Sequence, residues 1–450
     1  MIKLSFLFIV LLVSAGFAQD FFDDQGKDEN NAVNSSYELN GFMRGAIFGG
    51  NTVIGNQGEL KSGYGELGLK MRARKGSWGD GYTEIRFRRG TEFNESLSEV
   101  QLREAYVNLY MGNFDVRIGQ QIVVWGRADA FNPTNNITPQ NFLIRSSDED
   151  DRRMGNFLIR TSYYWNPFRF QLLWVPQYVP SVIPIPLQLF QLPLNTYFDN
   201  PIHPDSRLKN STIAAKADLE ISDFSGSISY FRGYMPMPGV TVKEPYTSEN
   251  FEIFIPIAIK SYRMDVFGAD FSTTVSSFGL RGEAAYRHPV DDYVPQKEDL
   301  IDSTLYIPNP DFQLVLGLDK SIGDFSIILQ YIGRYVFEFT DINDTKFVFP
   351  QIKELENRNR MIASQLDEIS HAVFMRPSLS LLHETIDMEL LAYYSITTKE
   401  SLVKPVFSYD LTDDLTVKVG GEWYSGPDNT LFGTIERALS TVFAELKVSF

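Results

Sequence analysis

The chain has 450 residues, with 41 Lys and Arg against 57 Asp and Glu, and a formal charge of −16 at neutral pH. That excess of acid excludes a nucleic-acid partner held by phosphate neutralisation. It contains no cysteine, which excludes disulfide staples, thiolate chemistry and acylation at a cysteine.

Met1 to Ala18 carries a basic start at Lys3, an apolar run from Leu4 to Val13 and the small-residue exit Gly16-Phe17-Ala18. This is the pattern of a secretory signal peptide, and cleavage near Ala18 is expected. Residues 19–35 are then an acidic N-terminal periplasmic segment, and 36–450 the folded unit. No later apolar run approaches the roughly 20 residues of a membrane helix, so any insertion into a membrane must use strands. Aromatic residues make up 14% of the chain, a bias suited to rings that belt two membrane interfaces.

Period-two alternation marks about eighteen strands, with sixteen as the nearest alternative. They fall at 36–48, 64–74, 81–89, 100–111, 114–124, 156–165, 168–176, 211–220 and 224–233. The second half continues at 262–273, 277–287, 311–320, 324–334, 371–381, 385–396, 402–411, 415–424 and 440–450. Connections after even strands are short, as at Gly112-Asn113 and Asn166-Pro167. Most of those after odd strands are long: 49–63, 90–99, 125–155, 177–210, 234–261, 288–310, 335–370 and 425–439. Such segregation predicts an all-β, transmembrane, antiparallel up-and-down barrel with short periplasmic turns and long extracellular loops. Ile352 to Ile369 is the one stretch expected to form a helix inside a loop.

Alternation also assigns faces. Leu67, Leu69 and Met71 face lipid, leaving Glu66, Lys70 and Arg72 inward; Ile85 and Phe87 oppose Glu84, Arg86 and Arg88. Glu104, Arg281 and Glu283 complete the expected lumen wall. A charge at the lipid midplane costs about 2–4 kcal/mol, so this alternation fixes the register. Glu66 or Glu84 is expected to pair with Arg72 or Arg86 and brace the wall.

Two loops stand out. Pro176 to Pro204 holds seven prolines and no formal charge before Asp199. Its apolar residues, among them Tyr178, Ile183, Ile185, Leu187, Leu189, Phe190 and Leu192, must be buried somewhere, and a constriction at the barrel mouth is the expectation. The second, from Gln120 through Trp125-Gly126-Arg127 to Asn132-Pro133, leads into the cluster Asp148, Glu149, Asp150, Asp151, Arg152 and Arg153. That cluster lacks the ligand spacing of a calcium loop and is read as solvated or Arg-paired. The chain closes on Val442, Ala444, Leu446, Val448 and Phe450 along one face, with Phe443 out of pattern. Phe450 is the expected assembly signal for the barrel insertion machinery.

Arg117-Ile118-Gly119-Gln120-Gln121, Trp125-Gly126 and Asn132-Pro133 resemble an uncharacterised outer-membrane barrel family of Gram-negative bacteria, a domain-of-unknown-function group. Trp174-Val175-Pro176, Gly279-Leu280-Arg281-Gly282-Glu283 and Tyr424-Ser425-Gly426-Pro427 are similar to it as well. The resemblance implies an outer-membrane barrel associated with resistance-nodulation-division type exporters, and hence the handling of lipid-like or hydrophobic compounds. It supplies no catalytic residue.

His203, His288, His371 and His383 are scattered without metal-ligand spacing, and no nucleophile motif accompanies them. The expectation is therefore no catalytic residue, no metal and no cofactor. The protein is read as moving small, hydrophobic molecules across the outer membrane, with outer-membrane lipids and an exporter as partners. The alternatives are a polar-solute porin, and an outer-membrane enzyme or surface structural protein. Oligomeric state is not legible.

Overall fold

The computed structural model describes residues 35–52, 57–129, 131–183, 195–243, 246–247, 249, 251–290, 307–344 and 350–450. The expected signal peptide and all but the last residue of the 19–35 segment lie outside them. In chain order come β1 (Ser35–Asn51), β2 (Gly58–Lys75), β3 (Gly79–Glu92), β4 (Glu95–Met111), β5 (Phe114–Gln121), β6 (Asn156–Trp165) and β7 (Phe168–Val175). Next are β8 (Thr196–Phe198), β9 (Thr212–Ile221), β10 (Phe224–Tyr234), β11 (Gly239–Val242), β12 (Tyr246–Thr247), β13 (Ile253–Lys260), β14 (Arg263–Val275) and β15 (Phe278–Val290). Last are β16 (Asp311–Ile322), β17 (Phe325–Val336), β18 (Ile369–Leu381), β19 (Ile386–Ser395), β20 (Ser401–Thr412), β21 (Leu415–Ser425) and β22 (Thr441–Ser449).

Eighteen of these form one sheet, while β8, β11, β12 and β13 form a small separate one within the long loops. Each of the eighteen pairs antiparallel with its neighbours. β22 returns to β1, from Ser449 opposite Phe42 to Thr441 opposite Gly50, so the sheet closes on itself. Every expected strand span holds one barrel strand, because strict alternation survives wherever one face meets lipid and the other a polar interior.

The outer face is apolar. Ile228 is 67% exposed and Leu39 equally so, with Met43, Ile47, Phe157, Phe267 and Val442 also bare on that surface. Buried charges occupy the opposite face, among them Arg44, Glu66, Glu84, Arg88 and Glu445. Among the described residues no helix is long and apolar enough to cross a membrane.

Two connections expected to be long loops are largely strand. The 49–63 region is β1 running to Asn51 and β2 starting at Gly58. The 90–99 region is a two-residue hairpin: Phe93 (φ 47°) and Asn94 (φ 66°) both adopt the left-handed region that a tight hairpin turn needs. Phe93 packs on the Leu431–Leu439 helix beside Tyr424 and Ile435, which holds an apolar residue in that unusual conformation. The expected loop helix is present at Pro350–Ala363, ending short of Ile369 because Ser364 turns to φ 54° and Gln365 donates back to the Arg360 carbonyl at 2.7 Å. Its Ile352 and Leu355 pack on Val240, Val242, Ile255 and Ile257 of the small sheet.

Candidate functional site

β5 ends at Gln121, and the chain leaves the wall for the interior. Val123, Trp125 and Ile137 are buried against Leu158, Leu173, Ala214, Phe231, Met264 and Ala285, an apolar seat on the inner wall. From this seat the loop crosses the lumen and is fastened at two places.

The first fastening is Glu283 on β15, only 2% exposed. Its carboxylate accepts from the amides of Arg127 (3.0 Å), Ala128 (3.1 Å) and Thr134 (2.8 Å) and from the Thr134 hydroxyl (2.9 Å). Gly126 (φ 96°) permits this approach, since a Cβ there would collide with Asn132 Oδ1 and with Glu283 itself. Arg127 Nε donates to Asp270 Oδ1 at 2.6 Å, and Arg281 reaches Asp129 at 3.1 Å.

At the second, Asp151 lies between Arg44 (2.7 Å) and Arg86 (2.6 Å) and accepts from the Ser146 hydroxyl at 2.5 Å. Burial alone would raise its carboxyl, but the two guanidiniums override that and hold it well below the usual carboxylate range. Arg103 donates to the carbonyls of Asp150, Asp151 and Arg153. Arg145, 1% exposed, donates through Nη2 to Glu422 (2.9 Å), the Leu439 carbonyl (2.8 Å) and Thr441 (3.1 Å). Removing one partner of such a buried pair typically costs about 3–5 kcal/mol, so the loop is part of the fold.

Between the loop and the facing wall remains a cavity of about 1280 Å³. Asp129, Asp148, Glu149 and Asp150 line it from the loop, with Arg127 and Arg153 among them. Opposite stand Arg287, Arg334, Arg376, Lys404 and Lys418, interspersed with Asp387 and Glu389. Lys404 reaches across to Glu149 at 3.2 Å, and Arg376 pairs with Glu389 at 2.7 Å. Asp367, also on the lining, has its carboxyl pushed up by burial and by Asp341. The result is an eyelet with acid concentrated on the loop and base on the wall.

Of the residues expected in the lumen wall, Glu66, Glu84, Arg86 and Arg88 are brought together. Glu66 lies 2.9 Å from Arg44, 2.8 Å from Arg88 and 3.5 Å from Arg86, while Arg86 pairs with Glu84 at 2.7 Å. Arg72 joins neither glutamate; it is exposed and lies 4.0 Å from Asp80. Lys70 sits opposite Glu84 in register without entering the cluster. Glu104 accepts from the Ile122 amide at 2.8 Å, where the loop departs. Arg281 and Glu283 are at the first fastening.

Of the expected constriction residues, Ile185, Leu187, Leu189, Phe190 and Leu192 lie outside the described residues. Tyr178 and Ile183 are described, and neither lines the cavity. The Tyr178 hydroxyl donates to the Met235 carbonyl at 2.9 Å, and Val182 pairs with Gln140, on the back of the lumen loop. Among the described residues, 122–155 is the segment that narrows the lumen. Phe450 is 52% exposed; its amide and carbonyl pair with Gly41 at 3.0 and 2.7 Å, and its ring lies over Gly41.

Residue-by-residue reading missed Arg44, Arg103, Arg145 and Glu422. Arg44 was available from alternation, facing Glu66 directly across β1 and β2. Arg103 was not, because an irregularity between Glu84 and Ile85 lets Arg103 and Glu104 both serve the lumen. Arg145 and Glu422 are 277 positions apart, and only barrel closure joins them.

A closed antiparallel barrel of eighteen strands, apolar outside, charged inside and narrowed by an inward-folded loop, is the architecture of outer-membrane channels. Residues 11–146 match the family described as a protein of unknown function, DUF1302, a match that ends within the lumen loop. No curated protein matches the chain. Among solved structures, OccAB3 of Acinetobacter baumannii is similar at 8% identity and a TM-score of 0.53, covering 92% of this chain and 99% of that one. OpdK of Pseudomonas aeruginosa, solved with vanillate, is similar at 9% identity and a TM-score of 0.51, with 92% of this chain and 98% of that one covered. The outer membrane channel DcaP of Acinetobacter baumannii superposes more loosely, at 12% identity and a TM-score of 0.42, with 93% and 99% covered.

Proposed function

We propose that this protein is an outer-membrane channel that admits small polar solutes through the eyelet between the lumen loop and the β15–β21 wall. The observation that carries this reading is the lining of that cavity, where charges of both signs face one another across the passage. An apolar solute entering it would strip water from those groups without replacing their hydrogen bonds, whereas a polar solute replaces them. The apolar outer face supports placement in a membrane, and the closed barrel leaves no unpaired edge there.

The hydrophobic cargo and exporter partnership implied by the sequence resemblance form the second reading. Its support is the proline-rich, apolar composition of 176–204. Planar-bilayer recording of the purified protein separates the two. Steady ohmic conductance in potassium chloride, with uptake of small sugars into proteoliposomes, is expected of the polar channel. A silent barrel that excludes sugars would overturn it in favour of a closed, cargo-specific device.

A further inference from the structure

Most arginines of the lumen are neutralised in place. Arg86 and Arg88 share Glu66, Arg287 holds Asp311, and Arg169 lies 3.1 Å from Asp218. Arg117 and Arg160 are arranged differently. They are direct cross-strand partners on β5 and β6, and both face inward, since the neighbouring Ile118 and Phe157 are exposed on the outer face. Like charges placed directly opposite destabilise a sheet. Among the described residues neither guanidinium has a carboxylate within ion-pair distance.

Their surroundings do not cancel the charge. Arg117 Nε donates to Asn108 Oδ1 at 2.6 Å, and its guanidinium lies 4.0 Å from the Tyr106 ring centroid. Arg160 is within electrostatic reach of Arg117, Arg169 and the Tyr106 and Tyr164 hydroxyls. Of the nearby acids, Asp115 bonds Tyr164, and Glu104 accepts from the Ile122 amide and reaches Arg117 only electrostatically, beyond ion-pair distance. The pair sits below the constriction. Arg117 is four residues from Gln121, about 13 Å along the strand at the usual rise, toward the short Gly112-Asn113 turn.

We propose that Arg117 and Arg160 form a binding site on the inner wall for an oxoanion, a phosphate or carboxylate, which relieves their repulsion. Guanidinium donors lie in a plane and take such oxygens in paired hydrogen bonds, and Asn108 and Tyr106 fix the orientation of Arg117. A solute bearing that group would pause here after or before the eyelet. This last statement rests on the channel reading; binding itself does not.

The test is calorimetric titration of the purified full-length protein in detergent, at fixed chloride, with inorganic phosphate and separately with acetate. Saturable binding of phosphate alone or of both is expected, weakened at least tenfold in Arg160→Met and in Arg117→Met and partly kept in Arg160→Lys. Absence of binding, or binding unchanged in both Met variants, overturns the site. A second readout is the temperature at which the barrel unfolds on heat-modifiable gels. It should stay level or rise in Arg160→Met without added anion, because a repulsion is removed; a fall would mean that the pair braces the wall and would overturn the proposal. Reversal potentials in a salt gradient add the transport arm, with Arg160→Met shifted toward cations. A wild-type protein that conducts nothing would sink the channel reading while the calorimetry still decides the site.

Discussion

Asp151 joins the lumen loop to the wall, and its environment sets how the loop responds to acid. A carboxyl held below its unfolded value of about 3.9 contributes stability that is fully present above that value and is lost as pH falls through the lower folded one. Conductance should therefore be flat from neutral pH to about 4 with respect to this fastening, and the loop should loosen only in stronger acid. A conductance step of loop release between pH 6 and 5 would contradict the assignment. Asp151→Asn removes the acid that Arg44 and Arg86 share and leaves them to Glu66, Glu84 and Glu445, at a cost of about 3–5 kcal/mol. Larger, noisier single-channel currents and a lower unfolding temperature are expected. At the chain's end, Gly41 has no room for a Cβ, which would come within 2.7 Å of the Phe450 ring and 2.6 Å of the Gly68 carbonyl. Gly41→Val should therefore impair closure of β1 on β22 much as deletion of Phe450 would, read as loss of heat-modifiable migration; normal migration of both variants would refute the linkage.

The loop 122–155 behaves as an element in its own right, although it holds little regular structure. Its two fastenings lie on different parts of the wall, Glu283 and Asp270 at one, Arg44, Arg86 and Glu422 at the other. Glu283→Ala removes the acceptor of four hydrogen bonds and should free the 126–134 segment while Asp151 still holds the rest. The expected result is a severalfold rise in conductance with unchanged insertion; an unchanged current would show that this segment does not limit passage. Shortening Ile183 to Leu194 to a Gly-Ser linker tests the proline-rich segment separately. If conductance rises there and not in Glu283→Ala, the constriction belongs to the proline-rich loop. The terminal strand has its own lesson: Phe443, out of pattern in the alternation, points inward and packs on Phe48 and Tyr64.

For the molecule as a whole, the outer belt carries the claim of membrane residence. Ile228, among the most exposed apolar side chains on β10, is a suitable probe. Ile228→Lys should cost about 2–4 kcal/mol if that position lies near the bilayer midplane, and only about 0–1 kcal/mol if it lies at an interface. Reduced yield of folded barrel in liposomes would be the measurement, and a neutral effect would place Ile228 outside the hydrocarbon layer.

Eighteen strands, their order and their facing were legible in the sequence, because a wall one residue thick between lipid and a polar interior writes a period of two into every strand. Glu66, Glu84, Arg86, Arg88, Arg281 and Glu283 could be placed inward on that basis alone. The true extent of β3 and β4 was not legible, since Phe93 takes a left-handed turn only because a helix more than 300 residues later packs against it. Nor was the function of the acidic cluster: solvated loop and buried fastening share the same composition, and Asp151 became the second only because the register of β1, β2 and β3 put Arg44 and Arg86 together on the wall facing it. The sequence by itself thus determined the barrel, through local alternation set by its two solvents. The tertiary structure decided which loop enters the lumen, because that choice depends on charges and apolar seats assembled from strands far apart in the chain.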